Sequence, residues 1–213
     1  MPRGKFIAFC GGEGAGKTTQ IKHLAQHLAD RGEKFLLTRE PGGTPAGQQL
    51  RKLLLTAGAD PWTPMAETLL MIADRAQHVE TVILPALEAG THVISDRFVL
   101  STLSYQGAGR GISPALIKEL HRKSCADLWP DLTVVFDIDP KVGLARSKRR
   151  LSESDSDESR FEDLDLAFHR RVRGGFIAEA KASGRKHVVI GATRPVSEIA
   201  AEIAGLVDGI IGP

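Results

Sequence analysis

Residues 11–18 read Gly-Gly-Glu-Gly-Ala-Gly-Lys-Thr and satisfy the pattern G-x-x-x-x-G-K-[ST] at every position. Glycines here let backbone N–H groups turn inward around phosphate oxygens, at a helix N-terminus whose partial positive charge favours anions. Gly11, Gly12, Glu13, Gly14, Ala15 and Gly16 therefore form a candidate phosphate cradle. Lys17 is placed to reach β- and γ-phosphates and Thr18 to hold Mg²⁺. The pattern also sits where it must, after an apolar run at 6–10 and before a helical pattern at 19–30.

Three further groups could work with this loop. Asp96-Arg97 follows a short apolar run, so its acid could orient Mg²⁺ and its guanidinium could clamp a phosphate; Asp137, ending another apolar run, is a rival for the metal. The turn at 39–44, with Arg51, Arg75 and Arg110, could gather arginines on a second anion beside the first. A basic stretch at 146–150 leads into the polar run 152–159 and then Arg160. A run of eight polar residues has no apolar anchor to order it, which predicts a mobile lid that can carry arginines over a transferring phosphoryl group.

The elements that must position these groups alternate. Strands are expected at 6–10, 34–38, 93–95, 132–138 and 187–190. Helical spacing lies between them: around Leu50 to Leu54, from Thr63-Pro64 to Glu88, from Ser113-Pro114, after Asp139-Pro140, over 162–182 and over 196–207. Alternation of this kind predicts an α/β class, a three-layer fold with a parallel sheet of about five strands. Ligands bind such sheets at the carboxyl ends of the strands, where Asp96 and Arg97 fall. At 213 residues one domain is the default, with a lid over about 146–160.

Lys and Arg number 28 against 26 Asp and Glu, a formal charge of +2. That balance does not advertise nucleic acid as a partner. Cys10 and Cys125 give no disulfide framework and no metal-ligand spacing, and no apolar run approaches membrane-spanning length. A soluble protein of a reducing, cytoplasmic setting is expected.

Taken together these stretches resemble the thymidylate kinase family almost from end to end. The resemblance rests on the loop, on Thr-Arg-Glu-Pro-Gly-Gly-Thr from Thr38, on Ala-Asp-Arg from Ala73, and on the long segment Ser-Asp-Arg-Phe-Val-Leu-Ser-Thr-Leu-Ser-Tyr-Gln-Gly-Ala-Gly-Arg-Gly from Ser95. It implies transfer of the ATP γ-phosphoryl group to dTMP, giving dTDP and ADP with Mg²⁺, by a homodimer. By the same resemblance Glu13 lies near the acceptor's 3′-hydroxyl, and Arg51 and Arg97 hold the dTMP phosphate. Arg75 reads the thymine edge with Ser101 and Thr102, and Tyr105 crowds the 2′ position with Gln106 beside it. Arg146 stacks on adenine. The loop carries no arginine, which resembles the bacterial subgroup whose catalytic arginine comes from the lid, here Arg150 or Arg160.

Two departures stand out. Met71 occupies the place where the family usually stacks an aromatic on the base, and a thioether offers a softer, less oriented contact. The acidic run in the lid is longer than usual. A deoxynucleoside kinase is a close alternative, but Arg51 and Arg97 argue for an acceptor that already carries phosphate. A partition-type ATPase switch would carry an extra lysine early in the loop, where this chain has Cys10 and glycines.

Overall fold

In the computed structural model, which describes residues 3–56, 62–152, 159–182, 184 and 186–212, the first apolar run forms β1 (Phe6–Gly11), buried at all six positions. Phe6, Ala8 and Cys10 enter one core, while Ile7 and Phe9 enter a second on the opposite face. A strand covered on both faces carries apolar residues without alternation, which is why this run reads as it does. The remaining strands are β2 (Phe35–Arg39), β3 (His92–Asp96), β4 (Leu132–Asp137) and β5 (His187–Gly191), in the order β2-β3-β1-β4-β5 and parallel throughout. The expected strands are all present, shifted by a residue or two.

Register decides where the chemistry collects. Phe9 of β1 and Arg39 of β2 both align with Asp96 of β3. The loop after β1, the turn after β2 and the Asp96-Arg97 pair therefore leave the sheet at one edge, the carboxyl ends where ligands bind.

Along the chain the helices are α1 (Lys17–Asp30), α2 (Pro45–Leu55), α3 (Pro64–His78), α4 (Leu84–Glu88), α5 (Val99–Thr102), α6 (Pro114–Ser124), α7 (Pro140–Ser152), α8 (Leu166–Ala182) and α9 (Val196–Ile211). Helices α1 and α9 bury Leu24, Leu28, Ile203 and Val207 against the Ile7 face. Val79, Ile83, Ile117, Val172 and Phe176 pack the other. Three layers result, as the alternation requires.

Local caps explain some helix starts. The Thr63 and Thr44 hydroxyls accept N–H bonds from Ala66 and Gly47, each before a proline in the first turn. The expectation that Ser113 caps α6 is corrected: its side chain makes no cap bond, and Pro114 alone sets the start. The helix expected from Glu162 begins instead at Leu166, because Asp165 Oδ1 accepts the Phe168 N–H at 2.6 Å and leaves 160–164 as turns. The stretch toward Glu88 is interrupted by a π-helical turn, Val79–Ile83. Pro85 follows directly, and its ring would meet the Thr81 carbonyl in a regular helix. A second π-helical segment, Leu103–Gly109, had no counterpart in the expectations. The acidic part of the polar run, 153–158, lies outside the described residues.

Candidate active site

Between β1 and α1 the chain turns through Gly14 (φ 64°) and Gly16 (φ 85°), left-handed conformations that glycine reaches without a Cβ penalty. The turn aims Lys17 back across its own loop, where Nζ donates to the Gly11 and Gly12 carbonyls at 3.1 and 2.8 Å. Burial, reinforced by the Arg97 charge, pulls the Lys17 ammonium down to about 8, against the pull of Asp96 and Glu13. Its direct hydrogen bonds are to carbonyl dipoles, and the attraction of Asp96 and Glu13 does not offset burial and the Arg97 charge.

Opposite the loop stands Arg97, at the end of β3 with φ 73°. A bulky residue in that region is strained and persists only where its surroundings over-determine it. They do so here. Arg97 N donates to Phe9 O, Ser95 Oγ donates to Arg97 O, Nη1 donates to Gly11 O, and Nη2 donates to Glu13 Oε1 at 2.8 Å. The Tyr105 hydroxyl donates to the same Glu13 oxygen at 2.5 Å, and the Arg97 guanidinium lies 5.1 Å from the Tyr105 ring centre. Burial alone would raise Glu13, but Arg97, Lys17 and the Tyr105 bond outweigh it and hold the carboxyl at about 2. Glu13 is therefore a fixed anion that accepts hydrogen bonds and is not suited to being a proton-accepting base.

Both groups line one cavity of about 590 Å³, a size that suits nucleotides. Loop residues 13–18 line it, together with Arg39, Arg51, Arg75 and Arg97. Arg51 Nη1 donates to Pro41 O at 3.0 Å, across the turn that contains the cis Glu40-Pro41 peptide. Arg75, only 2% exposed, donates from Nε to Glu40 at 2.7 Å and from Nη2 to Thr102 at 2.9 Å, while its Nη1 is buried without a partner. Met71, Ser101, Thr102, Tyr105 and Gln106 share the lining.

Asp96 Oδ1 is likewise buried and unpartnered in this cavity, with the exposed Thr18 on its lining. Asp137 is taken: both its oxygens accept from Arg173, at 2.6 and 2.9 Å. A hydroxyl and one free carboxylate suit Mg²⁺, which keeps several waters and takes its remaining ligands from phosphates.

The two arginines expected in a lid separate. Arg150 lines the cavity from α7, its Nη2 donating to Ser147 Oγ at 3.1 Å. Arg160 turns away. It donates to Leu54 O at 2.9 Å and to the fully buried Glu67 at 2.7 Å, a carboxylate that also receives Gln106 and Arg110. Arg110 is thereby removed from the arginine group expected around the second anion. Arg146 sits behind the loop with its Nη1 at 3.4 Å from Ala192 O.

Acids and bases that sequence reasoning missed include Glu40, Glu67, Asp74, His78 and Glu162. Glu40 and Asp74 had a signal, their places in the quoted motifs. Glu162 lines the cavity, accepts from Ser147 at 3.0 Å, and is pushed up by burial and by Glu13. Asp74 lines it too, holding the Gly42 N–H at 3.0 Å. Burial and the Glu40 charge raise its carboxyl from 3.8 to about 6. Between those values the folded chain holds a proton the unfolded chain has lost, so stability falls as pH rises through that window and stays lower above it. Asp74→Asn keeps the acceptor for Gly42 and removes the charge. It should raise stability by about 2 kcal/mol at pH 8 and by nothing below pH 4, read from urea melts.

A phosphate cradle facing an arginine-lined pocket, on a five-stranded parallel sheet, defines a P-loop enzyme of the nucleotide kinase class. The family model described as thymidylate kinase matches residues 9–203. The chain is 51% identical over 199 residues to a thymidylate kinase of Cereibacter sphaeroides, covering 93% of this chain and 92% of that one. It is 45% identical over 207 residues to one from Magnetococcus marinus, covering 97% of each. The crystal structure of thymidylate kinase from Ehrlichia chaffeensis superposes with a TM-score of 0.76 at 33% identity, over 97% of this chain and 99% of that one. The chain belongs to the thymidylate kinase family, and its reaction is the phosphorylation of dTMP to dTDP in dTTP synthesis.

Proposed function

We propose that residues 1–213 work as one kinase domain that takes the γ-phosphoryl group from ATP and places it on the 5′-phosphate of dTMP. The observation that carries this reading is one cavity lined both by the loop and by Arg51, Arg75 and Arg97. A phosphate oxygen of dTMP forms the new bond to the γ-phosphorus as the bond to the β-phosphate oxygen breaks, and ADP leaves. A phosphate monoester is largely dianionic at neutral pH, so no general base is needed. Catalysis then reduces to alignment and charge stabilisation.

The residues divide that work. Lys17 exchanges its bonds to Gly11 and Gly12 for phosphate oxygens, and N–H groups of 11–18 hold the donor. Arg97 and Arg51 hold the acceptor phosphate, Arg75 and Thr102 face the base, and Glu13 accepts the 3′-hydroxyl. Tyr105 closes the 2′ side. Thr18 and Asp96 would hold Mg²⁺, which supplies charge neutralisation on the transferring group. Arg150, in a lid over about 146–160, adds a cation from the far side. Arg146 packs beside the adenine.

The same reading makes the protein a cytoplasmic homodimer. Two free, buried cysteines suit a reducing compartment, and exposed Leu53, Met65 and Leu69 on the neighbouring helices α2 and α3 offer apolar surface for a partner copy. Among the described residues no helix is long and apolar enough to cross a membrane.

ADP release with ATP and a panel of nucleoside monophosphates, with thymidine as the unphosphorylated control, tests the reading. Turnover should be greatest with dTMP and absent with thymidine; rapid ADP release without any acceptor would overturn it. Lys17 supplies a second check. Bound polyphosphate favours the ammonium that the free site holds only below about pH 8. ATP affinity should therefore fall as pH rises above 8, by up to about tenfold per unit, with proton uptake on binding visible by calorimetry in two buffers. Lys17→Met should flatten that slope.

A further inference from the structure

Arg75 spans from a buried acid to the acceptor cavity, and what stands behind it is unusually complete. Glu40 on the turn after β2 receives Arg75 Nε on Oε2 at 2.7 Å. His78, three residues beyond Arg75 and fully buried at the end of α3, meets Oε1 of the same carboxylate through Nδ1 at 3.0 Å. Its other nitrogen lies 2.6 Å from Thr38 Oγ1 on β2. Burial works against the Glu40 charge, but Arg75 and His78 together hold its carboxyl below the usual range. An ionised carboxylate only accepts, so Nδ1 is the nitrogen that carries the proton.

The geometry leaves little slack. A side chain at Gly43 would collide with the His78 ring. The Arg75 guanidinium lies 5.1 Å from the Phe98 ring centre, its Nη2 is bound to Thr102, and Nη1 is the buried nitrogen without a partner on this cavity-lining residue. Were Oε1 of Glu40 released, the carboxylate could rotate about its own axis and the guanidinium fork would tilt with it.

We propose that His78 is a specificity-positioning residue of the acceptor pocket: anchored on Thr38, it locks the Glu40 carboxylate, which in turn fixes the plane of Arg75 so that one N–H donor is presented to the base. This rests on the reading that Arg75 faces the pyrimidine edge. It goes further by assigning base selectivity to a side chain that never touches the ligand. A donor at Nη1 suits the carbonyl at C4 of thymine and opposes the amino group at C4 of cytosine, so the discriminating quantity is the preference for dTMP over dCMP.

Three variants test it. His78→Asn keeps an N–H near the position of Nδ1, whereas His78→Gln and His78→Leu do not. His78→Leu and His78→Gln should raise KM for dTMP and lower the dTMP/dCMP ratio of kcat/KM by about tenfold or more, with kcat and KM for ATP within about twofold. His78→Asn should restore most of the ratio. Melting temperatures separate this from a merely structural role: the Asn and Gln variants should differ in selectivity at matched stability, even if the Leu variant folds poorly. An unchanged ratio in His78→Gln, or equal losses for both monophosphates in step with stability, would overturn the proposal. Arg75→Met is the control on the underlying reading. If it too leaves the ratio unchanged, Arg75 does not read the base at all, a failure distinct from one confined to His78.

Discussion

Replacing Arg97 with alanine should lower kcat/KM for dTMP by about a thousandfold or more, the largest loss expected from any single side chain outside the loop. Two effects combine. The acceptor phosphate loses its clamp, and Glu13 loses the guanidinium that outweighs its burial. Left with Tyr105 and Lys17, the Glu13 carboxylate draws the Lys17 ammonium toward itself and away from the donor phosphates. ATP binding should therefore weaken as well, although Arg97 is proposed to hold the acceptor. The backbone supplies a control. At φ 73° alanine retains the strain of arginine, whereas glycine relieves it. Arg97→Gly should thus be as inactive as Arg97→Ala yet more stable by about 1 kcal/mol. Steady-state kinetics with thermal melts decide this, and activity within tenfold of the parent would remove Arg97 from the acceptor site.

Arg150 and Arg160 should part company just as sharply. Arg150 lines the cavity and bonds to the neighbouring Ser147, so Arg150→Ala should cut the single-turnover rate about a thousandfold at unchanged melting temperature. Arg160 instead neutralises Glu67, which is fully buried and receives Arg110 only at 3.3 Å. Its removal leaves an under-compensated charge in the core, a change that costs about 3 kcal/mol. Arg160→Ala should melt early while its folded fraction turns over normally. Lost turnover in Arg160→Ala at full stability would reverse the assignment and require that Glu67 release it during the cycle.

The different fates of these two arginines show where sequence reasoning stops. Both stand in a basic-then-polar segment, and both fit a lid that delivers charge. What distinguishes them is Glu67, more than ninety positions earlier in the chain, and no local pattern links the two. The same holds for His78. A histidine at the end of an amphipathic helix gives no sign that it braces a carboxylate 38 residues away. The π-helical segment 103–109 was also illegible, because it is held open by tertiary packing: Gly109 lies against Phe168, and Gly175 against Ala108 and Ser104.

By itself the sequence determined the phosphate loop and the strand alternation, because each depends on short-range rules, while the grouping of acceptor residues came from the family resemblance. Glycines permit left-handed turns, unbroken apolar runs demand burial on both faces, and prolines set helix starts. Tertiary structure alone decided which charges face the ligand and which face one another. A buried ionised group must find its counter-charge wherever the fold brings one, so Glu67 drew Arg160 and Arg110, and Glu40 drew Arg75 and His78; the partly exposed Asp137 paired with Arg173. Among the described residues, Asp96 Oδ1 and Arg75 Nη1 are buried without a hydrogen-bond partner, and both residues line the cavity.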